Sequence, residues 1–147
     1  MKKMIKLKTI ALSALLVAMG VAQAVTLKIG NQGDATSLDP HSLQESLQLT
    51  VTGNVYEPLV VRGKDFKLTA ALATSWKQTE PLVWRFNLRK GVQFHDGTPF
   101  TADDVIFSFE RARGEGSDVK SYVGQIKQIN KIDDHTIDIV TTAPFPI

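Results

Sequence analysis

Cysteine is absent from the 147 residues of this sequence. Its absence excludes disulfide-linked scaffolds, cysteine-ligated zinc, iron–sulfur clusters and cysteine nucleophiles. Most of the chain also lacks a surplus of basic charge, because four of the 17 Lys and Arg residues are Lys2, Lys3, Lys6 and Lys8. Without them, 13 basic residues stand against 15 acidic ones, which is unfavourable for binding phosphate backbones. We therefore expect no nucleic-acid partner.

A run long enough to span a membrane is missing too. The apolar stretch at residues 10–22 is shorter than the roughly 18 to 20 apolar residues that cross a hydrocarbon core. It follows the lysine cluster and leads into the small-x-small triplet of residues 22–24, a pattern typical of a cleavable secretory signal. We predict a signal peptide over residues 1–24, a mature chain that starts at Val25, and a periplasmic location. Without a cysteine for lipid attachment, the mature protein is expected to be soluble there.

The start of the mature chain has the pattern of an α/β protein. Residues 26–29 alternate as a short strand, and residues 30–37 form a loop of glycines and turn formers. Ser42 and Glu45 form a capping box, which predicts a helix from about residue 43 towards residue 56. Its apolar stripe is Leu43, Leu47, Val51 and Val55. A loop between a strand and a helix is the usual place for a ligand crevice in such folds.

The pattern changes to a period of two from residue 59. Residues 59–62 and 66–68 flank a short turn and predict a hairpin. Trp84, Phe86 and Leu88 alternate with less apolar neighbours, which predicts an antiparallel sheet with one buried face.

A helix and two further strands complete this region. Thr101 and Asp104 form a second capping box ahead of a stripe at Val105, Phe109 and Ala112. Strands are predicted at residues 126–132 and 137–140, and the isoleucines of the first need a bulge to share one face. The chain then stops on the apolar, proline-spaced segment 142–147, whereas domain ends are usually polar. We expect the polypeptide to be cut short.

Two enzyme-like interpretations are disfavoured by the spacing. His41, His95 and His135 each adjoin a turn residue, and no two potential ligands share a helical turn, so no metal site is predicted. A Gly-x-Ser-x-Gly nucleophile elbow is absent as well. We predict no enzymatic activity and no cofactor, with a secreted hydrolase using His95 or His135 left as an alternative.

Several blocks of sequence resemble the family 5 solute-binding proteins of peptide-type ABC transporters. These are residues 37–41 (SLDPH), 55–59 (VYEPL), 73–76 (ATSW), 84–100 (WRFNLRKGVQFHDGTPF) and 101–105 (TADDV), in the family's order and spacing. The resemblance implies an incomplete α/β type II periplasmic binding protein fold. Residues 25–58 would start the first lobe and residues 59–147 would form most of a small β-rich extra domain.

The resemblance also implies a function and a site. It implies a receptor, monomeric when full length, that captures a peptide and delivers it to an ABC transporter permease in the inner membrane. Its ligand-binding residues would be Gly33, Asp34, Ala35, Thr36 and Ser37, with Asp34 in place of a glutamate that some oligopeptide receptors carry. Nickel chelates, haem or oligosaccharides as cargo, and a non-functional remnant, stay open as alternatives.

Overall fold

The computed structural model describes residues 26–42 and 45–146. The chain divides into two units, Met1–Gly30 and Asn31–Ile147. In the described part of the first unit, residues 26–30 form no regular secondary structure, so the strand predicted at 26–29 is wrong. Leu27 and Ile29 are 80% and 78% exposed. A strand is held by hydrogen bonds to a neighbouring strand, and none pairs with residues 26–29 in the described ranges. The predicted signal peptide lies outside the described residues.

Helix α1 spans Ser46–Thr52 and is shorter than the predicted helix. It starts after Glu45, whose side chain makes no capping hydrogen bond, so the predicted capping box does not begin this helix. The hydroxyl of Ser42 donates instead to the Asp39 carbonyl at 3.1 Å. Gly53 ends the helix by donating its N–H to the Leu49 carbonyl at 2.9 Å.

The inward face of α1 is polar rather than apolar. Gln48 and Thr52 are its buried residues, whereas Leu47 and Val51 are half-buried. Val55 lies beyond the end of the helix and is exposed. Of the predicted stripe, two members therefore lie in the helix but are only partly buried, one lies past its end, and Leu43 lies outside the described residues. The buried polar side chains need hydrogen-bond partners in the surrounding loop.

The predicted hairpin is confirmed, with its strands displaced. Strand β1 (Val60–Arg62) pairs antiparallel with β2 (Leu68–Ala70), and Arg62 lies opposite Leu68. Phe66 belongs to the turn rather than to a strand and has a φ of 63°, an unusual value for a non-glycine residue. The Gly63 N–H closes the turn on the Lys67 carbonyl at 2.8 Å.

A four-stranded antiparallel sheet forms the centre of the second unit. Its strands are β3 (Ala73–Glu80), β4 (Val83–Leu88), β5 (Ile126–Asp133) and β6 (Thr136–Thr141), in the order β3-β4-β6-β5. Between β5 and β6 the register shifts at two points, between Ile126 and Gln128 and between Lys131 and Asp133. The predicted irregularity in this strand is therefore present, and Ile126 and Ile129 pack against the core, but Ile132 is exposed.

Only one face of the sheet carries the core, as predicted. Helix α2 (Ala102–Arg113) covers this face, and its start shows the predicted capping box, with the Thr101 N–H 2.8 Å from the Asp104 carboxylate. A short helix α3 (Lys120–Val123) follows. The buried core cluster comprises Ala73, Phe86, Leu88, Phe100, Ala102, Val105, Ile137 and Ile139.

The other face of the sheet is polar. Arg85 on β4 lies directly opposite Asp138 on β6, and its guanidinium donates two hydrogen bonds of 2.7 Å to that carboxylate. Asp138 is buried, and the two hydrogen bonds from Arg85 satisfy its carboxylate oxygens. No helix in the described ranges is long and apolar enough to cross a membrane.

Candidate ligand-binding site

The predicted ligand-binding segment, residues 33–37, lies in the loop before α1. Gly33, Asp34 and Thr36 are exposed, and Ala35 and Ser37 are half-buried. The segment passes close to α1, because a Cβ atom on Gly33 would come within 2.9 Å of the Leu47 Cδ1. A side chain at position 33 would therefore have to displace the end of Leu47.

The Asp34 carboxylate makes a local hydrogen bond. Its Oδ1 accepts from the Ala35 N–H at 2.8 Å, which holds the turn at this point. Within the described residues, no hydrogen bond uses the backbone of Gly33 or Thr36. The segment thus presents backbone groups to solvent, as a strand edge does.

Gln48 ties the end of this segment to α1. Its side-chain oxygen accepts from the Ser37 N–H at 3.3 Å, and its side-chain nitrogen donates to the Ser37 carbonyl and, at 3.4 Å, to the Asp39 carbonyl. The residue is 1% exposed. Gln48 is not among the residues predicted from the sequence. The available signal was its spacing of four from Thr52, which places two polar side chains on one helical face.

The two residues after Ser37 are held by other parts of the unit. The Tyr56 hydroxyl donates to the Leu38 carbonyl at 3.0 Å. The Arg111 guanidinium of α2 donates to both carboxylate oxygens of Asp39, with Nη1 2.6 Å from Oδ1. Three consecutive residues are therefore anchored from three different places.

The Asp39–Arg111 pair also involves His41. Arg111 Nη1 lies 2.8 Å from the His41 Nδ1, and the His41 N–H donates to Asp39 Oδ1 at 2.9 Å. These hydrogen bonds, that from Arg111 first, hold the pKa of Asp39 well below its usual range. Partial burial, and next the charge of Arg111, lower the pKa of His41. The imidazole therefore favours its neutral form.

The other two histidines lie in separate turns. His135 sits between β5 and β6, where its N–H donates to Asp133 Oδ1 at 2.7 Å. His95 lies in the turn that the Gly97 N–H closes on the Phe94 carbonyl. In the part of the chain that the structure describes, no three His, Asp or Glu side chains are grouped so as to hold a metal ion.

An open cleft of about 500 Å³ lies between the hairpin, the core face of the sheet and α2. Its walls are mainly apolar, and none of residues 33–37 lines it. Its two acidic side chains are already engaged, since Glu57 pairs with Arg89 at 2.6 Å and Asp104 accepts from the Thr101 N–H. The cleft is thus distinct from the predicted ligand-binding segment.

A family of known proteins matches the second half of the chain. The model of "Bacterial extracellular solute-binding proteins, family 5 Middle" matches residues 67–147. The chain belongs to this family. The family consists of solute-binding proteins rather than enzymes, so membership gives no support to the hydrolase alternative.

Relatives extend this likeness over most of the chain. The periplasmic oligopeptide-binding protein OppA of Escherichia coli K12 is 31% identical over 145 residues, covering 86% of this chain and 27% of OppA. The ABC transporter-associated periplasmic binding protein DppA of Helicobacter pylori, solved with the peptide STSA, is 35% identical with a TM-score of 0.63. That match covers 76% of this chain and 26% of DppA.

A third similar protein was solved with a different ligand. NikZ from Campylobacter jejuni, solved in complex with Ni(L-His), is 25% identical with a TM-score of 0.69, covering 78% of this chain and 23% of NikZ. The chain spans about a quarter of the length of all three proteins. Solved periplasmic binding proteins such as OppA and MppA confirm the expected α/β type II periplasmic binding protein fold, of which this chain holds a part.

Proposed function

We propose that the complete product of this gene captures peptides in the periplasm and delivers them to an ABC transporter permease. The observation that carries the proposal is membership of family 5, together with the likeness to a DppA structure that holds a peptide. The periplasmic names of OppA and DppA support the same compartment. The receptor would act as a monomer and hold no cofactor.

We assign residues 25–58 to the start of the first lobe and residues 59–147 to the small extra domain, after a signal peptide of residues 1–24. The four-stranded sheet, α2 and the buried core cluster between them all lie within residues 59–147, which supports this division. The Asp39–Arg111 ion pair would then join the lobe to the extra domain.

The ligand-binding role falls on Gly33, Asp34, Ala35, Thr36 and Ser37. An extended peptide can add to an exposed backbone edge by main-chain hydrogen bonds, which are the same for every side chain. Gly33 and Thr36 are exposed, and among the described residues nothing hydrogen-bonds to their backbone groups, which supports this mode. Broad acceptance of peptide sequences would follow.

Calorimetry on the complete gene product tests the assignment of cargo. The titrants are peptides of two to five residues with varied side chains, and a nickel–histidine complex. We expect peptides of one length to bind within about tenfold of one another, because each tenfold corresponds to 1.4 kcal/mol and side chains contribute little to backbone pairing. Binding of the nickel complex without any peptide would favour a metal-chelate receptor and overturn the proposal.

Mass spectrometry of the exported product tests the compartment. We expect an N-terminus at Val25, since the small-x-small triplet of residues 22–24 precedes it. A membrane-inserted product that retains residues 1–24 would contradict this assignment.

A further inference from the structure

We infer that, in the complete gene product, a segment from beyond residue 147 packs into the apolar cleft between the hairpin, the core face of the sheet and α2. The inference goes beyond the proposed function, since it concerns a contact within the receptor and is independent of the cargo. It rests on the walls of the cleft, the path of the backbone after β6 and the length of the solved relatives.

The cleft is an opening in the hydrophobic core itself. Its walls include Phe86, Phe100, Val105 and Ile139, which belong to the buried core cluster. Packed protein interiors contain few voids larger than a water molecule, whereas this opening measures about 500 Å³. The described residues therefore leave one side of this core unfilled.

Large apolar side chains around the cleft are exposed to solvent. Phe94 is 46% exposed, Tyr122 65% and Leu68 42%, and all three line the cleft. A contiguous exposed apolar surface of this kind marks a contact with another segment or molecule. The two acidic side chains at the cleft, Glu57 and Asp104, are already engaged by hydrogen bonds. We therefore expect an apolar occupant rather than a cationic one.

The backbone after β6 turns onto the same face of the sheet. Trp84 lies directly opposite Ile139, so the two side chains share a face, and Ile139 lines the cleft. The Trp84 indole N–H donates to the Phe145 carbonyl at 3.1 Å. Residues that follow in a longer product would therefore start on the side of the sheet that carries the cleft.

The solved relatives show how much chain is available to fill the cleft. The matched regions make up 26% of DppA and 23% of NikZ, so about three quarters of a protein of that size lies outside this chain. A segment joined to the same chain has a local concentration far above that of a separate molecule. A segment of the same product is therefore favoured over a second copy or a free ligand.

Hydroxyl-radical footprinting of the unmodified complete product tests whether the cleft is covered. The oxidation rate of a phenylalanine follows its exposed area, and mass spectrometry resolves the rate at each position. Phe66 and Phe107, 76% and 70% exposed and outside the cleft, are the references for Phe94. An open cleft predicts that Phe94 reacts at about 0.6–0.7 of the faster reference rate, from 46% against 76% or 70%. We expect Phe94 to lose most of this reactivity, and a rate near the open-cleft value would overturn the inference.

Photo-cross-linking identifies the occupant. The photoreactive residue p-benzoylphenylalanine replaces Tyr122, in the cleft, and as a matched control Phe107, which is similarly exposed but lies outside it. On irradiation its benzophenone group bonds to C–H groups in contact with it, so it suits an apolar occupant. We expect the variant at Tyr122 to cross-link within one chain to a peptide from beyond residue 147 that the control does not label.

Three cross-linking results would overturn the inference. Cross-linked dimers would show that a second copy fills the cleft, and a cross-link to added trialanine would make the cleft a ligand site. Cross-links confined to residues 1–147 would show that no later segment enters it. If the variant at Tyr122 fails to fold, footprinting of the unmodified product still decides. Peptide binding by calorimetry tests the proposed function separately, because no step of this inference depends on the cargo.

Discussion

The exposed carboxylate of Asp34 provides a charge-specific test of the ligand-binding segment. Asp34→Asn is the informative change, because an asparagine oxygen can still accept from the Ala35 N–H, as Oδ1 does at 2.8 Å. The local turn is kept and only the charge is removed. We predict that the Asp34 carboxylate attracts the ammonium group of a bound peptide.

The structure limits the size of this effect. A charge-assisted hydrogen bond contributes about 1.5–3 kcal/mol when it is sheltered. Asp34 is exposed and one of its oxygens is already engaged, so solvent screening reduces the expected coupling to about 1 kcal/mol, or roughly fivefold in affinity. Salt should weaken it further, since the Debye length falls to about 3 Å at 1 M.

A double-mutant cycle by calorimetry measures this coupling. Wild type and Asp34→Asn are each titrated with a peptide and with its amino-acetylated form. Acetylation should weaken binding about fivefold more in the wild type than in the variant, because this ratio corresponds to a coupling of about 1 kcal/mol between Asp34 and the ammonium group. Asp65→Asn, in the exposed turn of the hairpin, is the matched control and should behave as the wild type. Equal losses in wild type and Asp34→Asn would refute the role of Asp34 and leave it as a turn cap.

Three further predictions concern stability. His41 has a lowered pKa when folded, so stability should be lost as pH falls below 6.5, and Asp39 should add a further loss as pH falls below 3.8. Melting temperatures measured from pH 7 down to pH 3 check both losses, and the change between pH 7 and 5 should be smaller for His41→Asn than for His95→Asn. Ile137→Ala leaves a cavity at a fully buried position and should lower the free energy of opening of the β6 amides, measured by hydrogen exchange, by about 2–5 kcal/mol. The control Val140→Ala, at a half-buried position of the same strand, should lower it by less than about 1.5 kcal/mol. Thr101→Ala should lower the free energy of opening of the α2 amides, measured by hydrogen exchange, by about 1 kcal/mol. An unchanged free energy of opening would contradict the capping role of Thr101.

The sheet and α2 could be predicted because their signals are local. Alternation at Trp84, Phe86 and Leu88 places alternate side chains on one face whatever the neighbouring strand is. The capping box at Thr101 and Asp104 needs only residues three apart, and it formed where it was predicted. The family resemblance also depends on order and spacing along the chain, and the family match confirmed it.

The ligand-binding loop required tertiary information. Gln48 and Arg111 lie 11 residues from Ser37 and 72 residues from Asp39, respectively, and no local pattern relates such distant partners. Which face of α1 is buried also depends on contacts between residues distant in sequence, because the loop backbone supplies the hydrogen bonds that make burying Gln48 favourable.

The sequence by itself thus determined the family, from the order and spacing of its sequence blocks. It also determined the alternating strands and the start of α2, which depend on neighbours within a few positions. Tertiary structure decided which face of α1 is buried and how residues 37–39 are anchored. It also decided that residues 26–29 form no strand in the described part of the chain. The physical reason is the same in each case: a backbone hydrogen-bonding group is satisfied by whichever partner the fold brings to it, and that partner is distant in sequence.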